Sequence, residues 1–154
     1  MNKSVSIFFA ALFLISITLF GQNNTEGNQK LTLVCPFKHG SGREPKEAFS
    51  WDPPDKKVVM ISKTDSIVRS CIKGTVVKVE AAEDNHYELV INVNELYFWY
   101  YAVMKPLVVR GQNVSPGETI GIYTLGTELE FRMFKEEDMQ DPRDLLECKV
   151  PKAE

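Results

Sequence analysis

The chain has 154 residues, of which 44% are hydrophobic and 25% charged, the balance of a folded globular protein rather than a disordered one. This length holds one core of ordinary size, which excludes a two-domain cofactor enzyme and a TIM-type barrel. Lys and Arg number 18 against 21 Asp and Glu, a net charge of −3, so neither nucleic-acid binding by bulk charge nor a polybasic grip on anionic lipid is indicated.

The N-terminus reads as an export signal over residues 1–21. Lys3 gives a cationic start, and Val5 to Phe20 is apolar except for Ser6, Ser16 and Thr18. That run of 16 residues is short for a bilayer span, and Gly21 supplies a small residue before a cut. An uncleaved N-terminal anchor is the alternative, because Leu19 sits where a second small residue is preferred; after cleavage no stable membrane insertion is expected. Residues 22–30 (QNNTEGNQK) are polar and read as a tether. The rest, 31–150, reads as a single domain, periplasmic or extracellular.

Export places the domain where a disulfide persists. The three cysteines Cys35, Cys71 and Cys148 allow one bridge at most, and Cys35–Cys148 is favoured because joining the chain ends closes the largest loop. Cys71 lies in an alternating apolar stretch and reads as a small buried side chain. No second Cys or His stands at metal spacing from any of the three, so a zinc cluster built on cysteine is not indicated.

His39 to Pro54 is a long irregular segment ending in two prolines, and a connection of this length is expected to cover or line something, with Phe49 and Trp51 as plugs of the sheet end. From there on, short β-branched and aromatic runs alternate with turn residues and no 3.6 periodicity is sustained, which predicts an all-β fold. Strands are expected at Lys57–Ser62, Ser66–Val68, Thr75–Ala81, Tyr87–Asn92, Leu96–Val103, Leu107–Val109, Thr119–Tyr123 and Glu128–Phe134. Gly74, Gly111 and Gly117 fall in the turns between them. Glu136–Leu146 is read as carrying one helical turn, with Pro142 at its first position.

Within this pattern Val109 to Gly121 reads V-R-G-Q-N-V-S-P-G-E-T-I-G. It follows Tyr101-Ala102-Val103-Met104 and precedes Glu128-Leu129-Glu130-Phe131-Arg132 and Asp141-Pro142. This succession resembles the lysostaphin/LytM-type zinc endopeptidases that cut peptidoglycan cross-links. Val68 to Val76 is similar to the family's strand–Gly–strand entry to the core, and Gly42-Arg43-Glu44-Pro45 is loosely similar to its opening stretch. The likeness spans about Gly42 to Leu146 and implies an open antiparallel sheet or β-sandwich of the barrel-sandwich hybrid type, with a long N-terminal loop and a groove over one face. Period-2 alternation then sorts the motifs: Glu128, Glu130 and Arg132 share one face, and Tyr97, Trp99, Tyr101 and Val103 share one face of their strand. The candidate groove lining is Trp99, Tyr101, Val103, Glu128, Glu130 and Arg132.

The family's chemistry is not carried over. Its zinc-binding His and Asp stand in H-x-x-x-D on an early strand, here Lys57 to Ser62, which has neither. Its H-x-H positions match Glu128 and Glu130, and the His of its Y-x-H matches Val103. The chain's two histidines are His39 and His86, in the long loop and a hairpin turn. The family's zinc is therefore without its ligands, and the resemblance implies no cofactor and a catalytically inactive wall-binding or regulatory module. Its partners would be peptidoglycan or a cell-wall hydrolase, for example an amidase that it activates. The alternative is a zinc endopeptidase with rearranged ligands, built from Glu128, Glu130 and His39. A secreted structural protein that kept the fold and lost the wall connection is a third reading. A lipoyl-type carrier is disfavoured because Lys105 stands six residues before Gly111 and beside Pro106, the wrong spacing for a modified lysine. Neither histidine makes a recognisable Cys/His or Ser/His pair.

Overall fold

The structure, a computed structural model, describes residues 31–43, 45, 55–82 and 84–150. The expected leader, the tether and most of the His39–Pro54 loop, with Phe49 and Trp51, lie outside the described residues. Within them the chain forms strands β1 (Ser41–Arg43), β2 (Val58–Ile61), β3 (Ile67–Arg69), β4 (Gly74–Ala81), β5 (Tyr87–Val93), β6 (Leu96–Val103), β7 (Lys105–Pro106), β8 (Asn113–Val114), β9 (Thr119–Ile122), β10 (Leu129–Lys135) and β11 (Asp138–Gln140). The architecture is all-β and antiparallel. An eight-stranded sheet runs β1-β2-β10-β6-β5-β4-β8 with β11 also on β10, and β3-β9-β7 form a second sheet.

Alternation along the strands decides what is buried. In β10 Leu129, Phe131 and Met133 point into the core and Glu130 and Arg132 away from it. In β6 Phe98 and Tyr100 point inward, Trp99 and Tyr101 outward. Together with Val58, Met60, Val76, Leu89 and Ile91 these side chains form one hydrophobic cluster with Val68 and Ile120 of the small sheet. The opposite face of the large sheet carries the polar alternates.

The chain ends are tied to this core twice. Cys35 and Cys148 are joined by a disulfide across 113 residues. Beside it Leu33 and Leu146 form a parallel bridge, in which Leu33 N–H donates to the Leu145 carbonyl at 2.8 Å and Glu147 N–H donates to the Leu33 carbonyl at 2.8 Å. Among the described residues no helix is long and apolar enough to cross a membrane.

Three local expectations are corrected. Leu107–Val109 is not a strand. β7 ends at Pro106, and after one bond from Leu107 N–H to the Ile120 carbonyl the chain turns away through Gly111 at φ 89°, leaving Leu107 and Val109 exposed. β1, β8 and β11 are additional strands, each two or three residues long and too polar to show an apolar pattern. The single helical turn exists, but the Pro142 carbonyl accepts from Leu145 and Leu146 N–H, so Pro142 precedes the turn rather than opening it.

Candidate functional site: a charged groove on the large sheet

Register sets the groove out as rows across strands. Val59 pairs with both Arg43 and Glu130, and Glu130 pairs with Tyr101. In the next row Arg132 pairs with Trp99, Trp99 with Val90, and Val90 with Lys78. Five of the six residues predicted for the groove therefore share this face. Glu88, Trp99, Tyr101 and Arg132 line one hollow, and Arg43, Lys57, Val59, Glu128 and Glu130 help line its neighbour.

Val103 is the exception and is corrected. It is 0% exposed, packed in the core against the backbone of Gly121, where an added Cβ would come within 2.5 Å of its Cγ1. Ala102 adopts φ 70°, and the β5–β6 ladder shifts register here, with Tyr87 opposite Val103 but Leu89 opposite Tyr100. The extra residue in β6 reverses the alternation, so Tyr101 faces the groove and Val103 faces inward.

The groove's charges are matched within the chain. Lys57 Nζ donates to Glu130 Oε1 at 2.8 Å, Arg132 donates to Glu130 Oε2 at 2.6 Å, and Arg43 pairs with Glu128. Burial alone would raise the Glu130 pKa, but the hydrogen bonds from Lys57 and Arg132 outweigh it and hold the carboxyl below its usual range. Lys78 bonds Glu88, which raises its own pKa, and lies over the Trp99 ring at 4.8 Å. Phe134 packs against the same indole with centroids 5.8 Å apart. At the hairpin end Tyr101 donates its hydroxyl to Asp84 at 3.0 Å, and Asp84 also faces His86 Nδ1 at 3.1 Å. The bond to Asp84 raises the Tyr101 pKa, and the His86 backbone N–H lowers that of Asp84.

This donor set does not fit a zinc ion. Glu128, just before β10, and Glu130 within it are each engaged by a cation of the protein, and two cations converge on Glu130, where a divalent ion would have to displace them. Among the described residues no three His, Cys, Asp or Glu side chains converge on one point. His39 lies in a different hollow from Glu128 and Glu130, so the three-residue ligand set conceived from the sequence is not assembled.

Sequence reasoning missed Arg43, Lys57, Lys78, Asp84 and Glu88 as groove residues. Lys57 and Glu130 are separated by 73 positions and meet only because β2 and β10 are adjacent. The alternating charges of β10 and β4 were a signal that partners exist, but not which ones.

No protein-family model matches the sequence, and no curated protein sequence matches it. Solved structures do. Helicobacter pylori Csd3 aligns with a TM-score of 0.63 and 21% identity over 77% of this chain, which spans only 34% of Csd3. A structure of the SpoIIQ–SpoIIIAH pore-forming complex aligns with a TM-score of 0.62 and 15% identity, covering 76% of this chain and 92% of that one. The catalytic domain of the antimicrobial peptidase lysostaphin from Staphylococcus simulans aligns at 0.51 and 20% identity, over 69% of this chain and 87% of that one. The lysostaphin/LytM-type fold implied by the sequence motifs is thus the fold of the structure.

Proposed function

We propose that this chain is an exported, catalytically inactive module of the lysostaphin/LytM-type fold that binds the cell wall, or a hydrolase acting on it, through the groove of its large sheet. The observation that carries the reading is the Lys57–Glu130–Arg132 triad. By resemblance Glu130 stands where the family has a His of its H-x-H motif, and here that position is spent on an internal ion pair. Val103, which by resemblance stands where a catalytic His would be, is buried and has no group to move a proton. The likeness to a peptidase catalytic domain and to a chain of a pore-forming complex supports a fold used both for wall chemistry and for assembly.

Affinity in this reading comes from Trp99 and Tyr101, whose rings are half-buried in the groove floor and are held in place by Lys78 and Asp84. Because Glu128 and Glu130 are already paired with cations of the chain, they are not free to select a cationic ligand group. Their role is to hold Arg43, Lys57 and Arg132 around the hollow.

Co-sedimentation with insoluble peptidoglycan, and activation of a purified wall amidase, test the reading. Trp99→Ala is expected to reduce retention or activation at least about tenfold, the loss of one buried aromatic anchor. If Trp99→Ala and Tyr101→Ala both leave retention and activation at the wild-type level, the groove is not the binding surface. A rearranged zinc endopeptidase would instead release soluble wall fragments in a chelator-sensitive manner.

A further inference from the structure

At the end of β1 and β2, past Arg43 and Glu128, a second hollow is lined by Lys38, His39, Ser41, Lys63 and Thr64 together with Gly40 and Ile61. Its polar side chains are ammonium groups, an imidazole and hydroxyls, and among the described residues no carboxylate lines it. This sets it apart from the adjoining groove, where Arg43, Lys57 and Arg132 each hold a glutamate. Neither the Lys38 nor the Lys63 side chain makes an ion pair among the described residues, and both residues are exposed.

The two loops that carry these lysines are stapled to each other by buried polar groups. Ser62 Oγ donates to the His39 carbonyl at 2.6 Å and accepts from Asp65 N–H at 2.9 Å. Asp65 accepts from Lys38 N–H at 2.8 Å and from Arg69 at 2.7 Å. Ser62 and Asp65 are 1% and 9% exposed, and burying such groups is unfavourable unless every partner is in place. Here those partners fix the backbone of Lys38–His39 against that of Lys63–Thr64. With its charge met by Arg69, Asp65 does not neutralise the lysines above it.

We propose that this hollow binds an oxyanion of the phosphate class. Lys38 and Lys63, which make no ion pair among the described residues, line one concavity, where an anion would offset their like charges and the surrounding hydroxyls supply donors for its remaining oxygens. A phosphate, with up to two charges and at least three acceptor oxygens, uses this set more fully than a single carboxylate does. The site is independent of the groove reading, since its residues are neither the aromatic anchors nor the Glu130 triad. The phosphate can be free in solution or carried on a lipid headgroup, and the chemistry of the hollow is the same for both.

The test is an amide-shift titration of the purified protein with inorganic phosphate at constant ionic strength. Shifts that saturate and concentrate on Ser41, Lys63 and Thr64 are expected, with acetate binding at least about tenfold more weakly. Lys38→Ala combined with Lys63→Ala should weaken phosphate binding at least about tenfold, the removal of two charged partners, whereas Lys73→Ala with Lys105→Ala should leave it unchanged. Retention on phosphatidylglycerol vesicles that free phosphate competes away assigns the phosphate to a lipid headgroup. Saturation by free phosphate without vesicle retention assigns it to a soluble ligand. Shifts that grow linearly without saturating, or equal losses in the two double variants, would overturn the proposal.

Discussion

Lys57, immediately before β2, and Glu130 of β10 form a 2.8 Å ion pair, with their side chains only 18% and 22% exposed. Glu130 also takes Arg132, so removing the one carboxylate strands two cations in a partly desolvated groove. Glu130→Ala is expected to destabilise the fold by about 1–3 kcal/mol, the cost of leaving charged groups without their partner. Lys57→Met combined with Glu130→Leu should cost less than Glu130→Ala alone, because only Arg132, rather than two cations, is then left without its carboxylate. Urea unfolding of the variants checks this; a Glu130→Ala midpoint equal to that of the exposed control Glu80→Ala would mean the triad contributes nothing.

The same pair predicts how stability depends on pH. Glu130, Asp65 and Asp141 all have folded-state pKa values lowered below their ordinary carboxyl values. A carboxyl depressed in the folded state contributes stability that is fully present above its unfolded pKa, about 4, and lost as the pH falls through its folded pKa. The urea midpoint should therefore decline below about pH 4, and Glu130→Gln should show a shallower decline than the wild type. A variant with the wild-type slope would remove Glu130 from the acid limb.

Reduction of Cys35–Cys148 is expected to cost about 2–5 kcal/mol, because the bridge constrains a very long loop of the unfolded chain. Thermal unfolding with and without a phosphine reductant measures it. The Leu33–Leu146 bridge should keep the ends docked below the lowered midpoint, so reduction shifts the transition without abolishing the fold. An unchanged midpoint would show that the disulfide adds nothing to that docking.

Cys71 should behave as an inert thiol. It is fully buried, and burial pushes its pKa up to about 12, so the reactive thiolate is scarce at neutral pH. A thiol reagent is expected to label no cysteine in the native oxidised protein and one after denaturation. The Tyr100 hydroxyl accepts from Cys71 N–H at 2.7 Å, and Tyr100→Phe should therefore cost about 1–3 kcal/mol by leaving that buried amide unpaired. Rapid labelling of the native protein would contradict the burial of this thiol.

The fold was legible where a strand is long and alternates, as in β10. Leu129, Phe131 and Met133 against Glu130 and Arg132 fix the inner and outer faces of β10 from local pattern alone. β1 and β8 were not legible, since strands such as Asn113–Val114 exist only by virtue of a neighbour far along the chain. Alternation placed Trp99, Tyr101 and Val103 on one face of β6, but Val103 is buried, because an alanine at φ 70° carries no sequence signal of the extra residue that reverses the alternation. The pairing of Glu130 was invisible for a third reason, in that a cross-strand partner is a property of sheet order.

Cations of the chain hold the groove carboxylates Glu128 and Glu130, the positions that by resemblance correspond to the H-x-H motif. Metal content after dialysis against excess zinc and then buffer, read by elemental mass spectrometry, distinguishes these ion pairs from a metal site. Zinc well below one ion per chain is expected, unchanged by Glu130→Ala. One retained zinc per chain, lost on Glu128→Ala or Glu130→Ala, would contradict it.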